Sequence, residues 1–299
     1  MFGFGGGGPV EEYAAKGANS RAYHEIRQTL RVSGVNLNFR TWASYDGLLP
    51  VLWDAVKPNT QTRAFEDATD RLRAEAAGVA ESLGPLAALP NAGLGKSQAY
   101  QVHQSLRLYH YVNPKLLLLT AAIRLALLDE SELDASTTGS ASKESVERIV
   151  PGPPPRMYPM DMVAEDIADP KLQKLFADIK STMAIKRVNS DYRTLALWPG
   201  YLDAAWTRLK PIVLRSQFKQ AGDSIRDLAR LLAADLPLPV RLSRGQLEAA
   251  GANYDDAVQT SEAFERLLPG LILNIAICLG DWDRGETLAA SPYPAASAT

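Results

Sequence analysis

An internal repeat constrains this chain more than any other feature of its sequence. Residues 178–211 align with residues 25–58 without gaps at a constant shift of 153, and twelve of the thirty-four positions are identical. Within this frame the two copies differ at one place that matters for chemistry, because Leu37-Asn38 of the first copy becomes Ser190-Asp191 of the second. The second copy therefore carries an acid where the first carries an amide, which makes Asp191 the first candidate for a functional residue.

The residue pattern is helical along most of the chain. Apolar residues recur at three- and four-residue spacing, which predicts helices over 11–31, 39–53, 59–83 and 98–111. Asn113 before Pro114 predicts an N-cap and first turn for a further helix over 115–128. Leu268-Pro269 opens its counterpart at a shift of 155. Alternating strand-like runs and βαβ spacing do not occur in the sequence. We expect an all-α fold.

The repeat also predicts the domain organisation. Residues 1–128 form one helical repeat, residues 129–161 are a linker rich in Ser, Thr and Gly and then in PGPPP, and residues 162–299 form the second repeat. We expect the two repeats to pack as an intramolecular pseudo-dimer with the site between them. Residues 289–299 are small and punctuated by proline, so we expect them to lie loosely on the surface.

Composition excludes several classes of function. The 299 residues are 46% hydrophobic and carry a net charge of −2, so a core is expected and no basic field favours nucleic acid or an anionic membrane. Cys278 is the single cysteine, which excludes an internal disulfide. The three histidines have no carboxylate pattern beside them, so no metal or other cofactor is expected. We expect a small-molecule ligand, and whether the protein forms a homo-oligomer stays open.

Three shorter stretches have a plain interpretation. The segment MFGFGGGG lacks a cationic region and a long apolar run, so it is not a signal peptide and the protein is expected in the cytoplasm. The apolar stretch 116–128 is interrupted by Arg124 and too short to span a bilayer, which predicts a buried core helix. The string GLGKS at 93–97 lacks the first glycine and the preceding strand of a phosphate-binding loop, so a loop entering a helix is favoured.

The chemistry near Asp191 can be outlined from the residues alone. Ser190 and Asp191 stand at the start of a predicted helix, whose free N–H groups favour an anion such as a substrate carboxylate. A carboxylate in the same pocket can polarise a water if a second group fixes that water, and the Asn113 side chain offers a donor and an acceptor. Without the repeat, Asp191 would be interpreted only as a capping residue.

Five separated motifs resemble one known family. They are IRQTLRV at 26–32, TRAFE at 62–66, NPKLLLLTA at 113–121, SDYRTLALWP at 190–199 and SPYP at 291–294. Their order and spacing resemble the DehI-type 2-haloacid dehalogenases, an all-α group, over nearly the whole chain. The resemblance implies direct hydrolysis, in which the aspartate at Asp191 activates a water also held by Asn113. The water attacks Cα opposite the halogen, the configuration inverts, and no ester, metal or organic cofactor is involved.

The resemblance also implies roles for other residues. Thr62 and Glu66 match positions important in the family, and we expect them to support the Asp191 region rather than to touch the substrate. A dry, apolar pocket is expected, and candidates for its substrate-binding side chains are Leu37, Leu117 and Ile272, together with Ser190.

The same resemblance implies that stereospecificity depends on the side chains at a few positions. Family members that accept both enantiomers carry a bulky aromatic pair matching Gly34 and Leu37, and an alanine at the position of Asn189. Members that act only on D-substrates have an amide there, which would crowd one face of the chiral carbon. We therefore expect a D-specific enzyme that converts D-2-chloropropionate to L-lactate.

Three other interpretations compete with this one. A non-stereospecific D,L-2-haloacid dehalogenase would keep the chemistry without the Asn189 gate. A catalytically silent helical binding protein would be favoured if Asp191 were exposed and beyond hydrogen-bonding distance of Asn113. A redox protein of the all-α peroxidase-reductase type is disfavoured, because Cys278 alone cannot form the required dithiol.

Overall fold

The computed structural model describes residues 8–129, 146–167 and 169–298. Within these ranges the ordered elements are helices and two isolated β-bridges, so the expected all-α class is confirmed. The helices before residue 130 are α1 (Gly17–Thr29), α2 (Leu37–Trp42), α3 (Leu48–Thr60), α4 (Arg63–Leu83) and α5 (Lys96–Asp129). The later helices are α6 (Pro170–Met183), α7 (Ser190–Leu195), α8 (Pro199–Val213), α9 (Ser216–Ala234), α10 (Arg244–Ala249), α11 (Tyr254–Leu279) and α12 (Glu286–Ala289).

The spacing of the helices follows the spacing of the sequence repeat. The first residues of α1 and α6, of α2 and α7, and of α4 and α9 are 153 residues apart (170 − 17, 190 − 37 and 216 − 63). Corresponding tryptophans also make corresponding contacts. The indole of Trp53 donates to Glu25 at 3.0 Å, and the indole of Trp206 donates to Asp178 at 2.8 Å. Local structure in the two groups of helices is therefore alike where the sequence is alike.

The two long helices form the centre of the molecule. α5 packs against α11 and α9, and α11 packs in addition against α4, so each long helix lies against helices from the other side of the 130–145 segment. Their apolar residues, such as Leu117 and Ile272, are buried. The hydrophobic core is therefore continuous across both groups of helices.

The expected break before Asn113 was wrong. α5 is one continuous helix from Lys96 to Asp129, and Asn113 lies in its interior rather than at an N-cap. A proline inside a helix removes one N–H and leaves the carbonyl four residues earlier without its partner. Here that carbonyl belongs to His110, and it accepts from Nε of the fully buried Arg73 at 3.1 Å. The guanidinium of Arg73 thus replaces the bond that Pro114 removes, and the helix continues.

Two other predicted boundaries were misplaced because of local turn chemistry. The helix predicted over 39–53 is divided into α2 and α3 at Gly47, whose φ of +63° is left-handed. The helix predicted from residue 59 begins at Arg63. Thr62 is its N-cap, and its side chain accepts from the backbone N–H of Phe65 at 3.1 Å. Thr62 is therefore buried at a helix start, not on an exposed helical face.

The segments expected to be loose are attached where they are described. Residues 130–145 of the predicted linker lie outside the described residues. Beyond them, Val150 N–H donates to the carbonyl of Ala296 at 2.9 Å, and Gly152 N–H donates to that of Gln28 at 2.8 Å. The prediction of a loose C-terminal segment was wrong, because Tyr293 is buried and its carbonyl accepts from Arg31 at 3.3 Å.

Among the described helices, the stretch Lys96–Leu128 of α5 is long and apolar enough to cross a membrane by length and composition alone. The sequence-based expectation concerned only residues 116–128; the helix is longer than that stretch because it continues through Pro114. However, 89% of its most apolar window is buried inside the protein. This burial is typical of a core helix of a soluble protein, as the sequence had suggested.

Two glycines at corresponding positions of the repeat allow close approach between the helix groups, and alanine substitutions test this packing. A Cβ at Gly47 would lie 1.9 Å from the carbonyl oxygen of Ala250, and one at Gly200 would lie 2.7 Å from that of Ala92. We expect Gly47→Ala to lower the free energy of unfolding by more than about 3 kcal/mol, since it adds left-handed strain to the clash, and Gly200→Ala by roughly 1–3 kcal/mol. Gly78→Ala, with open space on α4, is the control and should gain up to about 1 kcal/mol. Urea unfolding measures all three, and equal stability of the Gly47 and Gly78 variants would contradict this packing.

Candidate active site

The structure brings Asp191 and Asn113 into direct contact. Asp191 is the second residue of α7, and Asn113 lies in the middle of α5. Nδ2 of Asn113 donates to Oδ2 of Asp191 at 3.0 Å, and the two residues are 1% and 3% exposed. The two residues that the sequence singled out for chemistry therefore form one buried acid–amide pair, contributed by two helices far apart in the sequence.

Burial makes the Asp191 carboxyl a much weaker acid than an exposed aspartic acid. Loss of solvation raises its pKa to about 7, and the hydrogen bonds from Asn113 and from its own backbone N–H only partly oppose this. No cation among the described residues forms a salt bridge with it. A carboxyl that titrates near neutral pH is suited to accepting a proton from a bound water.

Two tyrosines surround this pair. Tyr109 lies one turn before Asn113 on α5, and its hydroxyl is 2.7 Å from Oγ1 of Thr194. Tyr192 follows Asp191 directly and accepts a hydrogen bond from Nδ2 of Asn274 at 2.7 Å. Burial and the neighbouring Asp191 charge raise the pKa of both phenols, so both keep their protons at neutral pH. The surroundings of Asp191 thus contain neutral hydroxyl groups rather than charged ones.

Glu66 contacts α5 rather than α7, whereas the described partners of Thr62 include Asn59, Phe65 and Arg148. Glu66 forms a buried ion pair with Lys115, which also donates to the carbonyl of Leu30 at 3.1 Å and to the hydroxyl of Tyr111 at 2.7 Å. Burial lowers the pKa of Lys115 to about 8, and the Glu66 charge opposes that shift. Since Lys115 is two residues from Asn113, the described contacts of Glu66 support the Asn113 side of the pair and not, as expected, the Asp191 side.

The other predicted site residues differ in their surroundings. Ser190 and Asn189 adjoin Asp191 and are each 5% exposed. Asn189 is the N-cap of α7, but its side chain makes no capping hydrogen bond and its Oδ1 has no described partner. Leu37, in contrast, is half-buried at the start of α2.

Gly34 lies against a segment that the sequence did not connect with the site. A Cβ at Gly34 would be 2.9 Å from Cβ of Met160, which occupies the adjacent space. The neighbouring Ser33 hydroxyl donates to the carbonyl of Tyr158 at 2.8 Å. Residues shortly before α6 therefore cover this part of the first helix group, and a larger side chain at position 34 would have to displace Met160.

Two cavities lie away from this pair. They have volumes of about 230 and 350 Å³ and lie beside α12, lined in part by Asp283 in both cases and by His110 in the larger one. Asp191 and Asn113 line neither. Within the described residues, no group of three or more His, Cys, Asp or Glu side chains is arranged to hold a metal ion.

Fold and site together define an all-helical protein with a buried carboxylate held by an amide. The family model described as halocarboxylic acid dehydrogenase DehI matches residues 34–192. The chain is 31% identical over 276 residues to an (R)-2-haloacid dehalogenase of Pseudomonas putida, covering 89% of this chain and 90% of that protein. It is 32% identical over 228 residues to a configuration-inverting 2-haloacid dehalogenase of Pseudomonas sp. (strain 113), covering 74% and 72%. The chain therefore belongs to the DehI family.

A solved structure agrees in fold as well as in sequence. The complex of a D-2-haloacid dehalogenase with L-LA superposes with a TM-score of 0.80 at 28% identity, and the match covers 90% of this chain and 94% of that one. The resemblance deduced from the sequence motifs is thereby confirmed.

Sequence reasoning missed three buried polar residues around the pair, namely Arg73, Lys115 and Asn274. Two of them could have been found, because Lys115 and Asn274 each interrupt an apolar stretch of a helix, NPKLLLLTA and LILNIAIC respectively. A lone polar residue in such a stretch must find a partner when it is buried. Arg73 gives no such signal, since α4 contains several charged residues.

The raised pKa of Asp191 predicts a pH-dependent effect on stability. The folded protein binds this proton more tightly than the unfolded state binds it, so the stability that it contributes is present below about pH 4 and lost as the pH rises through about 7. Asp191→Asn removes the titration and keeps an acceptor for Asn113. We expect the variant to gain roughly 2–4 kcal/mol over wild type at pH 8 and little at pH 4, measured by urea unfolding.

Asp178→Asn is a control for which the effect on stability should depend on pH in the opposite direction. The hydrogen bond from Lys210 lowers the pKa of Asp178, so its contribution is present at neutral pH and lost at low pH. This variant should be less stable than wild type at pH 8 and equal to it at low pH. An Asp191→Asn variant that behaved in the same way would contradict the buried, uncompensated carboxylate.

The Glu66–Lys115 pair predicts a compensating double substitution. Glu66→Gln or Lys115→Met alone leaves one buried charge without its partner and should cost roughly 3–5 kcal/mol. The double variant removes both charges and should recover most of that loss. Glu262→Gln, which breaks the exposed pair with Arg266, is the control and should change stability by less than about 0.5 kcal/mol. Additive losses in thermal unfolding would show that the two charges do not depend on each other.

Proposed function

We propose that this protein is a hydrolase that removes the halogen from short D-2-haloalkanoic acids and gives L-2-hydroxy acids. The observation that carries the proposal is the buried hydrogen bond between Asn113 and Asp191, together with the pKa of about 7 that burial gives the acid. The family membership supports the reaction class, since relatives are named (R)-2-haloacid dehalogenase and configuration-inverting 2-haloacid dehalogenase.

The pair fits direct attack by water. The Asp191 carboxylate accepts a proton from a water as that oxygen forms its bond to Cα, while Asn113 fixes the carboxylate and offers Oδ1 to the same water. The electron pair of the carbon–halogen bond leaves with the halide on the opposite face, so the configuration inverts. A dry site that holds the oxygen in line supplies several kcal/mol of the barrier.

The raised pKa favours a base over a nucleophile in this role. Base catalysis is most efficient when the pKa of the base is near the working pH. A carboxylate that formed an ester would need no such shift, and the bond from Asn113 restrains one of its oxygens. The proposed route therefore forms no covalent intermediate and draws on no metal or organic cofactor.

We further propose that the two groups of helices are pseudo-repeats that pack as an intramolecular pseudo-dimer around this site. Residues 1–128 and 162–299 are the repeats, and residues 129–161 connect them. The constant spacing of 153 residues between the starts of α1 and α6, α2 and α7, and α4 and α9 supports this. The packing of α5 against α9 and of α11 against α4 supports it as well, because each long helix contacts a helix of the other repeat. In this arrangement the first repeat supplies Asn113 and the second supplies Asp191.

Stereospecificity is assigned to Asn189. Its side chain is buried beside Asp191 and is not used to cap α7, which supports a role toward the substrate. Ser190, next to it, is the proposed contact for the substrate carboxylate, with Leu37, Leu117 and Ile272 supplying apolar surface. The silent-scaffold alternative loses support, because Asp191 is buried and within hydrogen-bonding distance of Asn113.

Halide release from the separate enantiomers of 2-chloropropionate tests this proposal. We expect wild type to release chloride from the D-enantiomer alone, at a rate that rises with pH through about 7 as Asp191 ionises. Asp191→Asn should abolish release, and Asn113→Ala should reduce it about 100-fold or more. The exposed Asp203→Asn is the matched control and should keep wild-type activity. Undiminished release by Asp191→Asn would refute the mechanism.

Two further results from the same assay test the finer parts of the proposal. Asn189→Ala should admit the L-enantiomer while keeping activity on the D-enantiomer; an unchanged preference would remove Asn189 as the gate. A single turnover in ¹⁸O-water should label the product hydroxyl. An unlabelled first-turnover product would indicate an aspartyl ester instead of direct attack.

A further inference from the structure

A second polar pair, Tyr192 with Asn274, lies next to Asp191 and is not used in the mechanism described so far. Tyr192 is 3% exposed and Asn274 is 2% exposed. Asn274 is the lone polar residue in the stretch 271–279 of α11 apart from Cys278, and its Oδ1 has no described partner. A buried polar group in such surroundings costs free energy unless it is satisfied, so its presence calls for an explanation.

The pair has an unused hydrogen-bond donor. Nδ2 of Asn274 donates to the Tyr192 hydroxyl oxygen at 2.7 Å, and no acceptor for the phenol hydrogen is described. If the amide were turned over, the phenol would donate to Oδ1, and the NH₂ group would occupy the present Oδ1 position, which has no described partner. Either orientation leaves one buried donor available to an anion.

Tyr192 and Asp191 are consecutive residues of α7 whose side chains contact different long helices. Consecutive residues on a helix point about 100° apart. Asp191 contacts Asn113 on α5, whereas Tyr192 contacts Asn274 on α11, and α5 and α11 pack against each other. A substrate bound beside α7 would have the base toward α5 and the free donor toward α11, so that water and halide would be contacted from different directions.

Comparison of the two repeats singles out the same pair. At a shift of 153, Tyr192 corresponds to Phe39, and at the shift of 155 for the long helices, Asn274 corresponds to Leu119. Both counterparts are buried in the core. The phenol and amide therefore replace apolar residues only in the repeat that also carries Asp191.

We propose that Tyr192 donates a hydrogen bond to the departing halide and that Asn274 is the residue that positions its hydroxyl. The inference rests on the proposed function. Water loses one proton to Asp191 and bonds to Cα through its oxygen, and the electron pair of the carbon–halogen bond leaves on the halide. The phenol proton is shared in a hydrogen bond and is not transferred. A donor aimed at charge that develops in the transition state accelerates the reaction.

The leaving group provides the test. Chloride is the poorer leaving group and the stronger hydrogen-bond acceptor, so loss of the donor should affect chloride more than bromide. We expect Tyr192→Phe to lower the single-turnover rate on D-2-chloropropionate by roughly 10- to 100-fold, and the rate on D-2-bromopropionate by several-fold less. Asn274→Leu should shift the same ratio in the same direction by a smaller factor. Both substitutions introduce the residue of the other repeat, so the fold should be kept, and thermal unfolding checks this.

Tyr23→Phe is the matched control. Tyr23 is also a buried tyrosine, and its hydroxyl donates to the carbonyl of Val10 at 2.8 Å, away from Asp191. It should leave the chloride-to-bromide ratio at the wild-type value. Equal losses on both substrates in Tyr192→Phe would overturn the inference, and so would a rise in KM alone, which would assign the phenol to the substrate carboxylate.

Chloride binding separates failure of this inference from failure of the proposed function. If wild type released no halide from any 2-haloacid, the proposed function would fall, but the halide site would still be measurable by line broadening of ³⁵Cl in NMR. Chloride binding that is about tenfold weaker in Tyr192→Phe than in wild type and Tyr23→Phe would support the site. Equal binding in all three proteins would overturn it.

Discussion

The hydrogen bond from Arg73 to the carbonyl of His110 is the interaction on which the site depends. Pro114 has no N–H to donate to that carbonyl. If the helix ended there, the Asn113 side chain would be used to cap the start of the next helix by accepting from its backbone N–H groups. Because a fully buried guanidinium replaces the missing donor, α5 continues and the Asn113 side chain is free to reach α7. A residue on α4 thus satisfies the carbonyl that the proline next to Asn113 leaves without a helical partner, within one continuous helix.

The acid and the amide of the site come from different groups of helices, as the comparison of the two sequence repeats shows. Asn113 belongs to the first group of helices and corresponds to Leu268, while Asp191 belongs to the second and corresponds to Asn38. Each group thus carries one member of the pair and lacks the other. The close approach that brings them together is permitted by glycine at Gly47 and Gly200, where any Cβ would meet a backbone carbonyl across the interface.

Sequence alone could identify the family and could single out Asp191 and Asn113, but it could not show the contacts that hold these residues in place. Asp191 stood out because the repeat offered a comparison, and the helical class followed from periodicity, since both are local patterns. The continuity of α5 could not be predicted, because it depends on Arg73, thirty-seven residues before His110. The partner of Glu66 was missed for the same reason, since Lys115 is forty-nine residues away and its charge is neutralised only in the folded protein. Interactions at long range are set by packing, which a single sequence does not display.

Two of the buried acids that face α5, Glu66 and Asp191, differ in whether their charge is compensated. Glu66 is paired with Lys115, so its charge is compensated within the core. Asp191 receives only a neutral amide and its own backbone N–H, and burial therefore raises its pKa to about 7. A cation beside it would lower that pKa and make it a weaker base. The positive charge of Lys115 thus lies beside Glu66 and not beside Asp191, and the lack of a compensating cation leaves the Asp191 carboxyl with the raised pKa that the proposed base requires.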